Sequence, residues 1–371
     1  MTAIKNTRDA GLDILRALAM FFVICQHILG QGGLVEQSAD GSGKFYFLSF
    51  VQILVYCAVD IYGITTGYLL CRKKFRLARL TKLWLTTVFW SVVVSCCFFA
   101  FVPESRTISE MISMFLPILR GRYWFFTAYF VVILVSPVLN LVIAQLSRRQ
   151  FHLLFAALFV IFGVVPVCSL GYDVLRISTG HHFSWMIVLY LIGGYLRKND
   201  HRGGTNGERA PIFWLAMYFA LALVQLLYKF IMGTLGLGGW QDLLLTYPSP
   251  LVLGQAICLF LFCRGAFRNV PADGGLARLM RFVSPGVYSV YVIHVHPKVF
   301  WSEDIIALFR PWDSWNGLHI FAAMLLTALV VFGVCIVLDF LRQRLFRAAG
   351  IDRAAERLSD WTEAFVRARI F

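Results

Sequence analysis

The chain has 371 residues, 59% of them hydrophobic and only 15% charged, whereas soluble domains carry about 25% charged residues; a water-soluble globular fold is excluded. The net charge of +14 is spread through short loops between apolar runs, which excludes a nucleic-acid-binding patch and follows the positive-inside pattern of membrane proteins. The nine cysteines lie almost all within apolar runs, without metal-ligand spacing in a polar loop, so they read as small buried hydrophobes and no metal site is expected.

The first apolar segment, 12–30, contains "DILRALAMFFVICQH" at 13–27. A charged group at membrane depth costs about 2.5–3.5 kcal/mol, so partners, water or a substrate must offset it. Asp13 and Arg16 are three apart and share a helix face, where they can pair. Arg16 and His27 are eleven apart, just over three turns; they return to nearly one face about 16 Å apart along the axis. One stripe thus carries a cation at one end and an imidazole at the other. The bland alternative is an interfacial Asp13–Arg16 pair with a satisfied histidine; three ionisable groups on one stripe favour function. The run is too long, and too early interrupted by Arg16, for a cleaved signal peptide, so it reads as a retained span.

Further apolar segments follow at 47–71, 82–102, 123–146, 151–169, 183–197, 211–231, 247–264, 283–302 and 318–341. At about 20 residues per span, they predict an all-α polytopic bundle of about ten transmembrane helices. Asp60, inside the second span, is costly unless it meets Arg16 or a polar cavity. The stretch 107–119 is amphipathic and short, a surface element rather than a span. "RYWFFTAYF" at 122–130 reads as an outer aromatic belt, with Trp124 as a secondary candidate for stacking on a sugar. His294 lies beside Tyr288 and Tyr291; lining a pocket or supporting His27 and simple core packing weigh about level. His296-Pro297 is expected to end or kink its helix.

Orientation follows from the basic residues. Lys5 and Arg8, six in "CRKKFRLARLTK" at 71–82, and those of "SRR" (147–149) and "RKNDHR" (197–202) fall on alternate loops of a ten-span arrangement. With Arg209, Arg264, Arg268, Arg278, Arg281 and seven arginines of the tail, they make 25 of the 34. The opposite loops hold few, among them Arg106, Arg120, Arg122 and Arg176. Both termini are therefore expected in the cytoplasm, in a multi-pass protein of the cell membrane. Residues 1–341 read as one membrane domain. Residues 342–371 read as a basic amphipathic cytoplasmic tail with Trp361, Phe365 and Phe371, resting on anionic lipid.

The Arg, ten residues and His of "LDILRALAMFFVICQH" resemble the first-span signature of the membrane-bound acyltransferase-3 family. "VDIYGITTGYLL" (59–70), with Tyr68, is similar to its second-span pattern; Arg76 and Arg79 in "FRLARLTKLW" to its basic motif; and "VYSVYVIHVHP" (287–297) to its tyrosine–histidine element. Thr65-Thr66 stand where leucine–serine is usual, and His296 is an additional histidine. Order and span count match over nearly the whole chain.

The resemblance implies transfer of an acyl group, usually acetyl, from cytoplasmic acyl-CoA to a hydroxyl or amine of an envelope sugar, glycolipid or polysaccharide precursor. Acyl-CoA would be a co-substrate, with no permanently bound cofactor. A hydroxyl attacking a thioester needs a base, and an imidazole suits that role; His27 is the candidate. Arginines hold phosphates by charge-assisted hydrogen bonds, so Arg16, Arg76 and Arg79 are candidates for the donor, alongside Asp13, Asp60, Tyr68, His294 and Trp124 in the substrate path. Lys73, Lys74 and Lys82 read as topology and lipid contacts. Buried Asp, Arg and His also suit a proton-coupled transporter or flippase; a sensor without activity is disfavoured by the lack of a soluble domain.

Overall fold

The computed structural model describes residues 9–170, 172–175, 178–200 and 209–370, with backbone alone for 104, 178 and 366–370. Lys5, Arg8, Arg176, Arg202 and Phe371 lie outside the described residues. Within them every regular element is helical, as the composition predicts.

Helix α1 (Ala10–Gln31) starts where Asp9 accepts the Leu12 amide, 3.4 Å, and stops at Gly32. The second span, Gly43–Leu70, is broken into α2 (Gly43–Val55) and α3 (Ala58–Leu70), where a single helix was expected. The Tyr218 hydroxyl takes the Leu54 carbonyl at 2.5 Å, supplying a partner for a backbone group that the break leaves free. Helix α4 (Leu77–Phe101) leads to α5 (Ile108–Phe115), the amphipathic segment, capped by Thr107 and far too short to span.

Helix α6 (Trp124–Gln145) carries Pro137 in its interior. The proline cannot donate to the Ile133 carbonyl, and Ser136 Oγ does so instead at 2.7 Å. Helix α7 (Arg148–Cys168) opens with a Ser147/Gln150 capping box. It widens to a π turn at Val160–Val164, just before Pro166, whose ring would clash in a regular turn.

Then come α8 (Phe183–Lys198), α9 (Pro211–Thr234), α10 (Pro250–Ala266), α11 (Gly275–Val283) and α12 (Val287–His294). Helix α13 (Gly317–Ala348) runs past the end of its predicted span, and α14 (Ile351–Ile370) forms the tail. Among the described residues, seven helices are long and apolar enough to cross a membrane. The other three predicted segments form α8, α10 and the broken pair α12 and Pro297–Phe300, the break falling at His296 as expected.

Layering follows from burial. The α2–α3 span is 72% buried, against 17% for α7 and 22% for α9, and α8 buries nine of its sixteen residues, so α1, α3 and α8 form the interior and α4, α6, α7, α9 and α13 the shell. Shell helices turn Leu153, Leu223, Leu227, Leu326 and Leu329 outward, as lipid contact requires. Glycine sets the tightest crossing, between α3 and α8. A Cβ on Gly67 would lie 2.0 Å from the Tyr190 carbonyl oxygen, and one on Gly193 2.0 Å from that of Ile64. Only hydrogen lets these backbones meet, which is what the glycine of the second-span pattern does here.

Candidate active site

The His27 end of α1 meets the end of α12. His27 Nδ1 lies 3.1 Å from His294 Nε2, and His294 Nδ1 lies 2.5 Å from the Val290 carbonyl oxygen. A carbonyl accepts only, so His294 Nδ1 carries a proton and donates it there. Neutral His294 then has a lone pair on Nε2, which accepts from His27 Nδ1–H. The remaining nitrogen of His27, Nε2, keeps its lone pair. The ring is held in place by the edge of Phe300, centroids 4.7 Å apart. This is a base with a fixed tautomer.

His27 lines a cavity of about 920 Å³. One wall is aromatic: Trp124 stacks with Tyr247 (6.0 Å), His181 sits 4.6 Å from Trp124, and Tyr56 5.0 Å from Tyr247. Trp124 therefore faces the cavity rather than forming only a belt. Gln26 also lines it, and its buried Oε1 has no hydrogen-bond partner. Glu36, Asp40 and Asp242 bring carboxylates to the same space, and Lys229 bridges to Asp242 at 2.8 Å.

The opposite end of α1 borders a second cavity, about 1220 Å³, lined by Asp9, Asp13, Asp200, Arg148, Arg264 and Arg281 among others. On α1 the first cavity reaches Met20 and the second Asp13; seven residues of helix, about 10 Å, separate them. Arg16 is half-buried in this interval. Its carbonyl accepts the Tyr62 hydroxyl at 2.7 Å. No ion pair joins it to Asp13 among the described residues. Asp13 instead accepts from Ser284 Oγ at 2.7 Å, because its side chain turns towards the segment before α12.

Tyr68 joins a charged cluster beside the second cavity. Its hydroxyl donates to Asp200 and accepts from Arg197 at 2.9 Å, and Arg264 reaches both oxygens of Asp200 at 2.8 and 2.9 Å. The guanidinium carbons of Arg197 and Arg264 each lie 4.9 Å from the Tyr68 ring centroid.

Other expectations are corrected. Arg76 lines neither cavity; it is paired with Glu356 (2.8 Å) and Asp360 (3.2 Å) of α14, and Lys82 with Glu356 at 2.6 Å. The acidic face of the tail neutralises that part of the basic motif. Arg79 is half-buried near Tyr190 and borders neither cavity. Asp60, fully buried, meets Trp185 Nε1 at 2.9 Å instead of Arg16.

Two polar clusters escaped the sequence. Arg122 binds Glu110 (2.5 Å), Ser95 (2.9 Å) and His296 (2.7 Å), packing α5 against the break that ends α12. Burial pulls the Glu110 pKa up, but the hydrogen bond and charge of Arg122, helped by Ser95, outweigh it and hold the carboxyl below its ordinary range. The glutamate in an otherwise amphipathic stretch was the available signal. Asp339, fully buried in α13, accepts from Trp90 (3.2 Å), Arg342 (2.6 Å), Gln343 (2.7 Å) and Ser289.

A family model described as an acyltransferase domain matches residues 9–339. No curated protein and no solved structure matches the chain.

Proposed function

Since the chain belongs to the acyltransferase-3 family and is a multi-pass membrane acyltransferase, we propose that it moves an acetyl group from cytoplasmic acetyl-CoA to a hydroxyl of an envelope sugar. In this reading both termini and the second cavity face the cytoplasm of the cell, and the cavity at His27 faces outward. The acceptor enters the outer cavity, its ring on the aromatic wall and a neighbouring hydroxyl on Gln26 Oε1. The donor enters from the inside, its phosphates met by arginines and its acyl arm passing Arg16.

The chemistry rests on His27. As the acceptor oxygen attacks the thioester carbon, its proton goes to His27 Nε2, and the imidazolium then protonates the departing CoA sulfur. A well-placed base of this kind contributes about 10²–10⁴-fold. Arg16 has no side-chain hydrogen bond or ion pair among the described residues, which leaves its guanidinium to meet the donor. Arg79 stays a candidate for the nucleotide; Arg76 becomes one only where α14 releases it.

The observation that carries this reading is the bare Nε2 of His27 in a cavity with an aromatic wall. Purified protein incubated with labelled acetyl-CoA and envelope extract is expected to give a labelled glycan, identified by mass spectrometry. His27→Ala is expected to insert normally and transfer nothing. A variant that acetylates at the wild-type rate removes His27 as the base; transport of a solute without CoA release favours a transporter.

A further inference from the structure

A thioester carbonyl under attack needs a second service besides a base. As the acceptor oxygen bonds to carbon, the carbonyl π electrons move to its oxygen, and that charge must be met in a site without bulk water. Tyr291 stands where such a donor belongs. It lines the cavity that holds His27, on α12 one turn before His294, with its ring 6.4 Å from the His294 ring. The side chain is 4% exposed, and no acceptor takes its hydroxyl proton.

A buried phenol left unpaired costs stability, so its retention calls for a partner that arrives. Its surroundings indicate which kind. The backbone amides of Phe125 and Phe126 reach the Tyr291 oxygen as weak donors; amides can occupy only its lone pairs, so its own proton has no acceptor. These are the second and third residues of α6, a 22-residue helix whose start no side chain caps. Uncapped first-turn amides carry the positive end of the helix dipole. They polarise the phenol oxygen and leave its proton free to be given away. Phe125 also packs edge-on against the Tyr291 ring at 5.3 Å, fixing the direction of the hydroxyl.

We propose that Tyr291, backed by the first turn of α6, donates the hydrogen bond that stabilises the oxyanion formed from the acyl carbonyl; this rests on the acyltransferase reading above. The balance is complete. The acceptor O–H adds across the carbonyl, with its proton on His27 Nε2 and its oxygen on carbon. Tyr291 keeps its own proton while hydrogen-bonding the new alkoxide. Collapse of that alkoxide restores C=O, breaks the carbon–sulfur bond and expels CoA thiolate, which takes the proton from His27.

The test is Tyr291→Phe, which keeps the ring and removes only the hydroxyl. With labelled acetyl-CoA and envelope extract, kcat is expected to fall about 10²–10³-fold, as when one oxyanion donor is deleted. KM for acetyl-CoA and half-saturation by extract should stay within a few-fold. The thermal midpoint in detergent should hold or rise, since an unpaired buried hydroxyl has gone. A kcat within about three-fold of wild type, or a loss confined to KM, overturns the assignment; so does a lowered midpoint with activity lost in proportion to folded protein. Wild-type protein that releases no CoA overturns the acyltransferase reading and this one with it. An active wild type with an undiminished Tyr291→Phe overturns this one alone.

Discussion

His27 Nδ1 and His294 Nε2 lie 3.1 Å apart although 267 residues separate them in the chain. The pair sets which nitrogen of His27 bears the proton, and so which one faces the cavity. His294→Phe should fold, keep the aromatic packing and leave His27 free to rotate or change tautomer. The expected loss in kcat is about 10²-fold, the usual consequence of a misplaced group, with KM little changed. His294→Gln, whose side-chain oxygen accepts as Nε2 does, should recover part of the rate.

Trp124 should matter to the acceptor and not to the donor. A ring stacked on its face is worth about 0.5–1.5 kcal/mol, so Trp124→Ala should raise half-saturation by acceptor about 2- to 10-fold. KM for acetyl-CoA should not move, and Trp124→Phe should lie between. Steady-state rates with each substrate varied in turn separate the cases.

Asp339 ties α4, α12 and α13 together below the site. Asp339→Ala leaves Arg342, whose side chain is 10% exposed, without its carboxylate. Removing one partner of such a buried pair costs about 3–5 kcal/mol, so a large drop in the thermal midpoint in detergent is expected. Asp339→Asn, which keeps an acceptor oxygen, should lose less.

The tail helix should respond to acid. The Lys82 hydrogen bond, with the charges of Lys82 and Arg76 and against a slight burial effect, holds the Glu356 carboxyl below its ordinary pKa of 4.5. A carboxyl lowered in the folded state stabilises it above pH 4.5, and the contribution is lost as pH falls through the lowered value. Limited proteolysis at the Ala348–Ile351 junction should therefore speed up in that window. Glu356→Gln should show the faster cleavage already at neutral pH.

Hydropathy made the helices legible, and helical spacing brought Arg16 and His27 to one stripe, because both signals are local. What failed was non-local. The break at Tyr56–Cys57 comes with the Tyr218 hydroxyl on the Leu54 carbonyl, a contact across 164 residues that no window contains. The pairing of Arg76 with Glu356 and Asp360 spans 280 and 284 residues, to a tail whose arginines hide its acidic face. Asp339 is invisible to hydropathy because one carboxylate barely lowers the mean of a long apolar run. The sequence places Tyr291 beside His294, but that no acceptor takes its hydroxyl proton shows only in three dimensions.

The 10 Å of α1 left between the two cavities has an electrical consequence. A bilayer's hydrocarbon is about 30 Å thick, so a membrane potential dropped mainly over that interval produces a field about three times that in plain lipid. Carrying one charge through 100 mV is worth about 2.3 kcal/mol, and in the orientation proposed above, with the two cavities open to opposite faces, Arg16 stands in the layer where most of that drop falls. In the proposed reaction a polyanionic donor approaching Arg16 from one side would sense this field directly. Turnover in sealed vesicles should therefore vary with the voltage imposed across them, making the energised state of the membrane an input to the reaction.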